Sequence, residues 1–315
     1  MSLVAALTEA ILPVLSIAGV GFLLGRFREV PVDAIATVTI YVLLPALVFH
    51  SLVTTPIGER TVFLLGAGVI VYTVGMLALA GGVGSALGES GATYGGLLLS
   101  SSFPNSGNYG IPLAAFAFGA IGRSTAVLYI AFQSVLMYTI GVSIASRGSS
   151  TSVKAAMLEI FRLPLVYAVV AAPIVRILDL VPAAGTPTME VLRLTGDAAI
   201  PVMLLLLGIQ LANTTFGSAV RRTTPAIVLK LAVSPVLAIG VALALGLDGD
   251  IARVFVLACA MPVAVTPLLL TIEYDAGDEP MTGPEYVSTA ILLSTIGSVG
   301  TLTVLLAALQ SGPLF

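Results

Sequence analysis

Charged residues, cysteine and histidine are all scarce in this chain of 315 residues, and each scarcity excludes a class of protein. Lys, Arg, Asp and Glu make up 9% of the sequence, whereas a soluble domain carries about 25%. One cysteine, Cys259, and one histidine, His50, cannot supply a disulfide, a metal cluster or the side-chain set of a membrane-embedded enzyme. Neither a Walker-type glycine loop nor a basic patch is present. The sequence therefore predicts no cofactor, no metal, no enzymatic activity and no nucleic-acid partner.

Apolar residues dominate the remainder and place the chain in a lipid bilayer. Hydrophobic side chains make up 58% of the sequence, and the mean hydropathy is +1.10. Short polar loops separate candidate spans that are each near the roughly 20 residues a helix needs to cross a bilayer. We predict an all-α integral protein of the plasma membrane with ten transmembrane helices. They cover 3–25, 32–53, 61–83, 94–118, 123–146, 156–178, 190–212, 224–246, 251–272 and 285–308.

Lysine and arginine are distributed unevenly between the two sets of loops. Cytoplasmic loops are usually richer in these cations than outer loops. The cytoplasmic loops contain the larger number of them when the N-terminus lies outside the cytoplasm. Ten spans return the C-terminus to the same side, so both termini are predicted to be extracytoplasmic. The predicted cytoplasmic set is Arg26, Arg28, Arg147, Lys154, Arg162, Arg221 and Arg222, and the outer set is Arg60, Arg123, Arg176, Arg193 and Arg253.

The fourth predicted span contains an unusual polar interruption between Pro104 and Pro112. Proline lacks a backbone N–H and clashes with the preceding turn, so a helix breaks there. Transporters use such broken helices to hold a substrate, although a proline-kinked structural span is the alternative. We favour a binding site because two prolines frame a polar segment. Its candidate substrate-binding residues are Asn105, Ser106, Gly107, Asn108 and Tyr109.

The two halves of the chain repeat the same pattern of prolines. Leu12-Pro13 corresponds to Leu163-Pro164, and Leu44-Pro45 corresponds to Ile200-Pro201. The break in the fourth span corresponds to one in the ninth, from Pro262 to Pro267. Since each half has an odd number of spans, the halves must be inverted, and matched breaks in inverted halves indicate a transporter's central site. We predict repeats over 1–147 and 155–315, a short cytoplasmic connector over 148–154, and fourth and ninth helices that cross.

Several motifs together resemble the auxin efflux carrier family, which includes the plant PIN proteins and prokaryotic permeases. The resemblance spans nearly the whole chain. It implies ten spans in an inverted repeat, a panel-like scaffold, a mobile crossover bundle and an organic anion as substrate. The long central hydrophilic loop of many plant members is absent, and auxin is not the expected substrate. The motifs are 44–50, Pro104-Asn105, 110–113, Gln133, Tyr138-Thr139, 196–198, Met261-Pro262, Pro267 and Glu273-Tyr274.

The chemistry of the two breaks favours a carboxylate independently of that resemblance. Half-helix N-termini and asparagine amides donate hydrogen bonds, and neither break contains Lys or Arg. The ninth-span break, Val263-Ala264-Val265, is apolar, so an amphipathic or small monocarboxylate is favoured over a polyacid. We therefore predict a secondary transporter of an organic anion. The alternative is a sodium-coupled symporter of the bile-acid-transporter type, or an ion antiporter, that shares the crossover.

Four polar positions outside the breaks have two readings each. His50 is either a proton relay or an interfacial histidine. Asp197 is either a proton relay or a carboxylate at the N-terminus of a helix. Gln133 either lines the substrate site or makes an ordinary interhelical hydrogen bond. Lys230 lies in the eighth span, where a cation is functional by default, but we expect it to extend towards the cytoplasmic face. Small residues at 66–68 and 75 are compatible with a homodimer face and with close internal packing.

Overall fold

The computed structural model describes residues 3–55, 57–146, 160–213, 220–274 and 281–312. These residues are helical apart from short connections, and the only β-type pairing among them is one isolated bridge. The predicted connector over 148–154 lies outside the described residues. The helices are α1 (Leu3–Phe27), α2 (Val32–Thr54), α3 (Glu59–Ala86), α4 (Gly91–Ser102), α5 (Ser106–Ala145), α6 (Pro164–Ile177), α7 (Pro187–Asn213), α8 (Val220–Leu245), α9 (Gly249–Cys259), α10 (Thr266–Tyr274) and α11 (Gly283–Gln310).

Seven of the described helices are long and apolar enough to cross a membrane, which confirms an integral, multi-pass membrane protein. The shorter helices α4, α9 and α10 flank the two predicted breaks. The count of ten spans remains a prediction.

Proline explains where several helices widen. In the described chain, four π-helical turns each end two residues before a proline. They are Leu7–Ile11, Thr39–Leu43, Ser106–Gly110 and Leu229–Val233. Proline cannot donate to the carbonyl one turn back and its ring crowds that carbonyl, so the preceding turn opens. The proline pattern of the sequence therefore marks local distortions in α1, α2, α5 and α8.

Glycines let α1 and α7 approach backbone to backbone. A Cβ at Gly208 would overlap the Ala18 carbonyl oxygen, and a Cβ at Gly21 would overlap the Leu205 carbonyl oxygen. Small residues are what membrane helices use for such close contacts. The helix α2 packs in turn against α6.

The long segment α5 bends back sharply at Gly119, where φ is 61° and ψ is −140°. A Cβ on Gly122 would overlap the Ala114 carbonyl oxygen, eight residues earlier. In a straight helix these residues would be about 12 Å apart. The bend thus separates the parts of α5 that correspond to the predicted fourth and fifth spans.

Gly119→Ala should lower the free energy of unfolding by about 1 kcal/mol, since the backbone at Gly119 lies in a region that is essentially restricted to glycine. Residues held in such backbone regions cost about 1–3 kcal/mol. The lower value is expected here because Gly119 is exposed and the bend can relax. Thermal unfolding of the purified variant tests this. Gly82→Ala, at an exposed helical glycine with open space around it, is the control and should not destabilise the protein. Equal stability of both variants would contradict the strained bend.

Candidate binding site at two paired helix breaks

Two helix breaks lie side by side in the interior. The first separates α4 from α5 at Phe103–Asn105, and the second separates α9 from α10 at 260–265. Pro104 removes a backbone donor and forces Phe103 out of helical geometry, to φ −112° and ψ 100°. Pro262 plays the corresponding part in the second break.

The two breaks satisfy each other's backbone groups. Pro104 and Val263 form the isolated antiparallel bridge. The Asn105 N–H donates to the Pro262 carbonyl at 2.7 Å, and the Ala264 N–H donates to the Phe103 carbonyl at 3.1 Å. Because lipid offers no partners to exposed backbone, each interruption depends on the other.

Side chains from three further positions hold the breaks in place. Gln133 in α5 donates from Nε2 to the Pro104 carbonyl at 2.8 Å. Ser106 Oγ lies 3.1 Å from Gln133 Oε1 and 3.0 Å from the Ala258 carbonyl oxygen. Ser294 in α11 accepts a hydrogen bond of 3.0 Å from the Val263 N–H. The structure places Gln133 beside the first break, where its amide and the Ser106 hydroxyl already have protein partners.

Asn105 contributes a donor that no described group meets. Its residue exposure is 5%, and Nδ2 has no hydrogen-bond partner in the protein. Buried polar groups are almost always satisfied, so an unmet amide at a helix break indicates a place for an acceptor. The preceding serine hydroxyls of α4 are also buried without a protein partner: Ser100, Ser101 and Ser102.

The remaining predicted site residues differ in how deeply they are buried. Gly107 and Asn108 are half-buried, whereas Tyr109 is buried. On the opposing break Val263 and Ala264 are buried and Val265 is half-buried. The site thus has one amide-bearing side and one apolar side. The crossover prolines, Pro104, Pro112, Pro262 and Pro267, are all buried.

Lys230 lies beside the second break, and its placement corrects the sequence prediction. It is 0% exposed and does not extend to a membrane face. Its Nζ donates to the Tyr72 hydroxyl at 2.8 Å and to the Cys259 carbonyl at 3.0 Å. Ser234 also donates to that carbonyl, at 2.8 Å. The expectation that Lys230 extends to the cytoplasmic face is wrong because these partners draw the amine to the end of α9.

Asp197 lies in an ion-pair cluster with two arginines, one from α5 and one from α7. Arg123 Nη1 donates to Asp197 Oδ1 at 2.8 Å, and Arg193 Nη1 donates to Asp197 Oδ2 at 2.9 Å. His50, in α2, is buried. The carboxylate is about 40% exposed, so water also reaches it.

The glycines considered for a dimer face make internal contacts. A Cβ on Gly66 would meet the Phe132 ring at 2.9 Å, and one on Gly68 would meet the Phe255 ring at 3.0 Å. Gly75 faces Leu237. The described structure therefore uses these positions for packing within the chain.

An apolar cavity of about 1080 Å³ between α2, α3, α5 and α6 lies away from the breaks. Leu52, Phe63, Phe132 and Val169 are among its lining residues, and none of the predicted site residues lines it. Its lining is mostly apolar, and Glu59 and Arg176 are its charged residues. The paired breaks remain the better candidate for a polar ligand.

Comparison with known proteins adds independent information. A family model described as a membrane transport protein matches residues 6–306. A protein of Methanothermobacter thermautotrophicus named "Uncharacterized transporter" is 28% identical over 93% of this chain and 95% of its own length. A protein of Rhizobium meliloti named "Putative malonate transporter" is 27% identical over 98% of each chain.

Proposed function

The chain belongs to the membrane transport protein family, the auxin efflux carrier family of permeases, and from this premise we propose that it is a secondary transporter of an organic anion. The family and the two relatives are transporters, not enzymes. The anion is a carboxylate held where the two helix breaks meet, and alternating access delivers it to either side of the plasma membrane. The unmet Asn105 amide at the paired breaks is the observation that carries this proposal.

An inverted repeat of five-helix halves accounts for the helix contacts. Exchanging the halves pairs the first span with the sixth and the second with the seventh. The contact of α1 with α7 then corresponds to the contact of α2 with α6, and both contacts occur. The paired breaks correspond to each other in the same way. These pairings support a ten-span architecture, with repeats over 1–147 and 155–315 and crossing fourth and ninth helices.

Small carboxylates are the substrate class that the site favours. The amide-bearing side suits a carboxylate, and the apolar Val263–Val265 side suits a short hydrocarbon part. The name of the Rhizobium meliloti relative adds malonate, a small dicarboxylate, to the compounds to test. Neutral donors bind an anion more weakly than a buried ion pair does, which suits a carrier that must release its substrate.

Purified protein in proteoliposomes provides the test. Uptake of radiolabelled acetate, butyrate, malonate and succinate is compared with that of protein-free liposomes. We expect saturable transport of at least one carboxylate, and transport that continues when choline replaces sodium. Strict dependence on sodium would favour the bile-acid-type symporter, and no transport of any member would contradict the proposal.

Coupling is separated in the same liposomes. Flux that follows an imposed membrane potential and ignores a pH gradient indicates a uniporter, since the potential contributes about 2.3 kcal/mol per charge per 100 mV. Flux that follows the pH gradient indicates proton coupling, with His50 and Asp197 as the candidate relays from the sequence. His50→Ala and Asp197→Asn should then reduce the response to the gradient. A homodimer is compatible with either route, and its interface must lie outside the internal contacts of Gly66, Gly68 and Gly75.

Both termini are expected to lie outside the cytoplasm. Single cysteines at Ser2 and Ser311, in a Cys259→Ser background, should react with a membrane-impermeant maleimide on intact cells. A cysteine at Gly148, in the predicted cytoplasmic connector, is the control and should react only after permeabilisation. The opposite labelling pattern would reverse the assigned orientation.

A further inference from the structure

The Lys230 amine occupies an enclosed, uncharged environment. It lies in the π-helical turn Leu229–Val233 of α8 and is fully buried. Its contacts are the Tyr72 hydroxyl and the Cys259 carbonyl. Within the described residues, no carboxylate contacts the amine. A buried charge without a counter-charge is unfavourable.

The titratable groups of the neighbouring helices do not supply that counter-charge. Tyr72 in α3 and Tyr129 in α5 are neutral phenols, and Tyr129 is hydrogen-bonded to the Cys259 thiol at 3.4 Å. The helices α4 and α11 also pack against the turn, and their titratable residues are Tyr94, Glu285 and Tyr286. Tyr94 packs against Gly84, the Tyr286 hydroxyl donates to the Arg222 carbonyl, and Glu285 belongs to the first turn of α11.

The number of acceptors around Lys230 matches a neutral amine. A neutral amine has two N–H groups, which the Tyr72 hydroxyl and the Cys259 carbonyl satisfy. An ammonium has three N–H donors. Its third donor and its charge both call for an anion nearby.

The amine is adjacent to the proposed substrate site through the end of α9. Cys259 is the last residue of α9, and its carbonyl binds Lys230. The preceding carbonyl, of Ala258, lies 3.0 Å from Ser106 Oγ, and Ser106 follows Asn105 directly. Contacts through the end of α9 therefore connect the proposed site at Asn105 to Lys230, in an interior where charges interact strongly.

We propose that Lys230 supplies the positive charge that balances a bound carboxylate, and that its amine takes up one proton from solvent when the anion binds. This inference rests on the proposed function and deepens it, because it assigns the coupled proton to Lys230 instead of His50 or Asp197. The anion and the proton would cross together, so a monocarboxylate would be carried without net charge and without sodium.

Calorimetric titration of the purified protein with malonate and butyrate tests the inference. Each titration is run in two buffers that differ in ionisation enthalpy, so that the number of protons taken up per bound anion is measured directly. The wild-type protein should take up about one proton in part of the pH range, as linkage requires. Lys230→Arg, whose charge is fixed, should bind with similar affinity and take up no proton.

Lys230→Met should bind malonate and butyrate at least about tenfold more weakly, and should also take up no proton. A tenfold change lies within the usual range of affinity changes between coupled sites. Asp250→Asn, at an exposed carboxylate paired with Arg253, is the titratable control and should behave as wild type. If the Lys230 variants do not fold, His50→Gln and Asp197→Asn decide the question, because uptake that persists in both supports Lys230 and uptake lost in either overturns the inference. Binding without proton uptake in wild type overturns the inference but leaves the proposed function intact.

Proton uptake that persists in Lys230→Arg and disappears in His50→Gln also overturns the inference and assigns the proton to His50. A wild-type protein that binds neither anion overturns the proposed function and the inference together.

Discussion

Gly208→Ala is expected to lower the free energy of unfolding by about 3 kcal/mol or more, at or above the upper end of the usual range for overpacking. The added Cβ would overlap the carbonyl oxygen of Ala18 and approach the Phe22 backbone nitrogen to 2.6 Å. Both obstacles are backbone atoms of α1, so no side-chain rotation can relieve the overlap. The helices α1 and α7 would have to separate along their shared length.

A glycine elsewhere in the chain separates this effect from helix propensity. Gly240 lies in α8 with no atom within 4 Å of its ideal Cβ position. Gly240→Ala should therefore leave the free energy of unfolding unchanged or raise it by up to about 1 kcal/mol, because alanine is the better helix former. Melting temperatures of the two variants in one detergent decide the matter. A Gly208→Ala protein as stable as Gly240→Ala would show that α1 and α7 are not in backbone contact.

The proline positions made the two helix breaks predictable from the sequence. Pro104 and Pro262 each remove a backbone donor, and this local effect needs no tertiary information. For Gln133 the sequence leaves open a substrate-site residue or an interhelical hydrogen bond, and in the structure its amide is bound to the Pro104 carbonyl.

Contacts between distant segments could not be predicted in the same way. Ser294 caps the Val263 N–H from α11, yet nothing in its own neighbourhood of the sequence distinguishes it from the other serines of that helix. The sequence predicts that Lys230 reaches a membrane face because a long cationic side chain in a span usually does. The Cys259 carbonyl, 29 residues away in sequence, is what draws it inward.

The role of Asn105 also depends on contacts with a distant segment, so the sequence alone does not reveal it. Its backbone holds the break, since its N–H donates to the Pro262 carbonyl and its carbonyl accepts from the Gly110 N–H at 3.0 Å. Its side-chain amide has no protein partner at Nδ2. A substitution of the side chain therefore leaves both backbone bonds in place and removes the side-chain amide.

Asn105→Ala should weaken carboxylate binding by about 1–3 kcal/mol, or roughly 5- to 150-fold, because an acceptor buried on the substrate loses its donor. Stability should not fall with affinity, since the substitution removes a buried polar atom that has no partner within the protein. Calorimetric affinity for a transported carboxylate and the melting temperature of the same preparation give the two readouts. Gln133→Ala is the comparison, because it removes the hydrogen bond to the Pro104 carbonyl and should lower stability as well as affinity. Unchanged affinity in both Asn105→Ala and Asn108→Ala would remove these amides from the substrate site, and a loss of stability in Asn105→Ala equal to that of Gln133→Ala would make Asn105 a structural residue of the break.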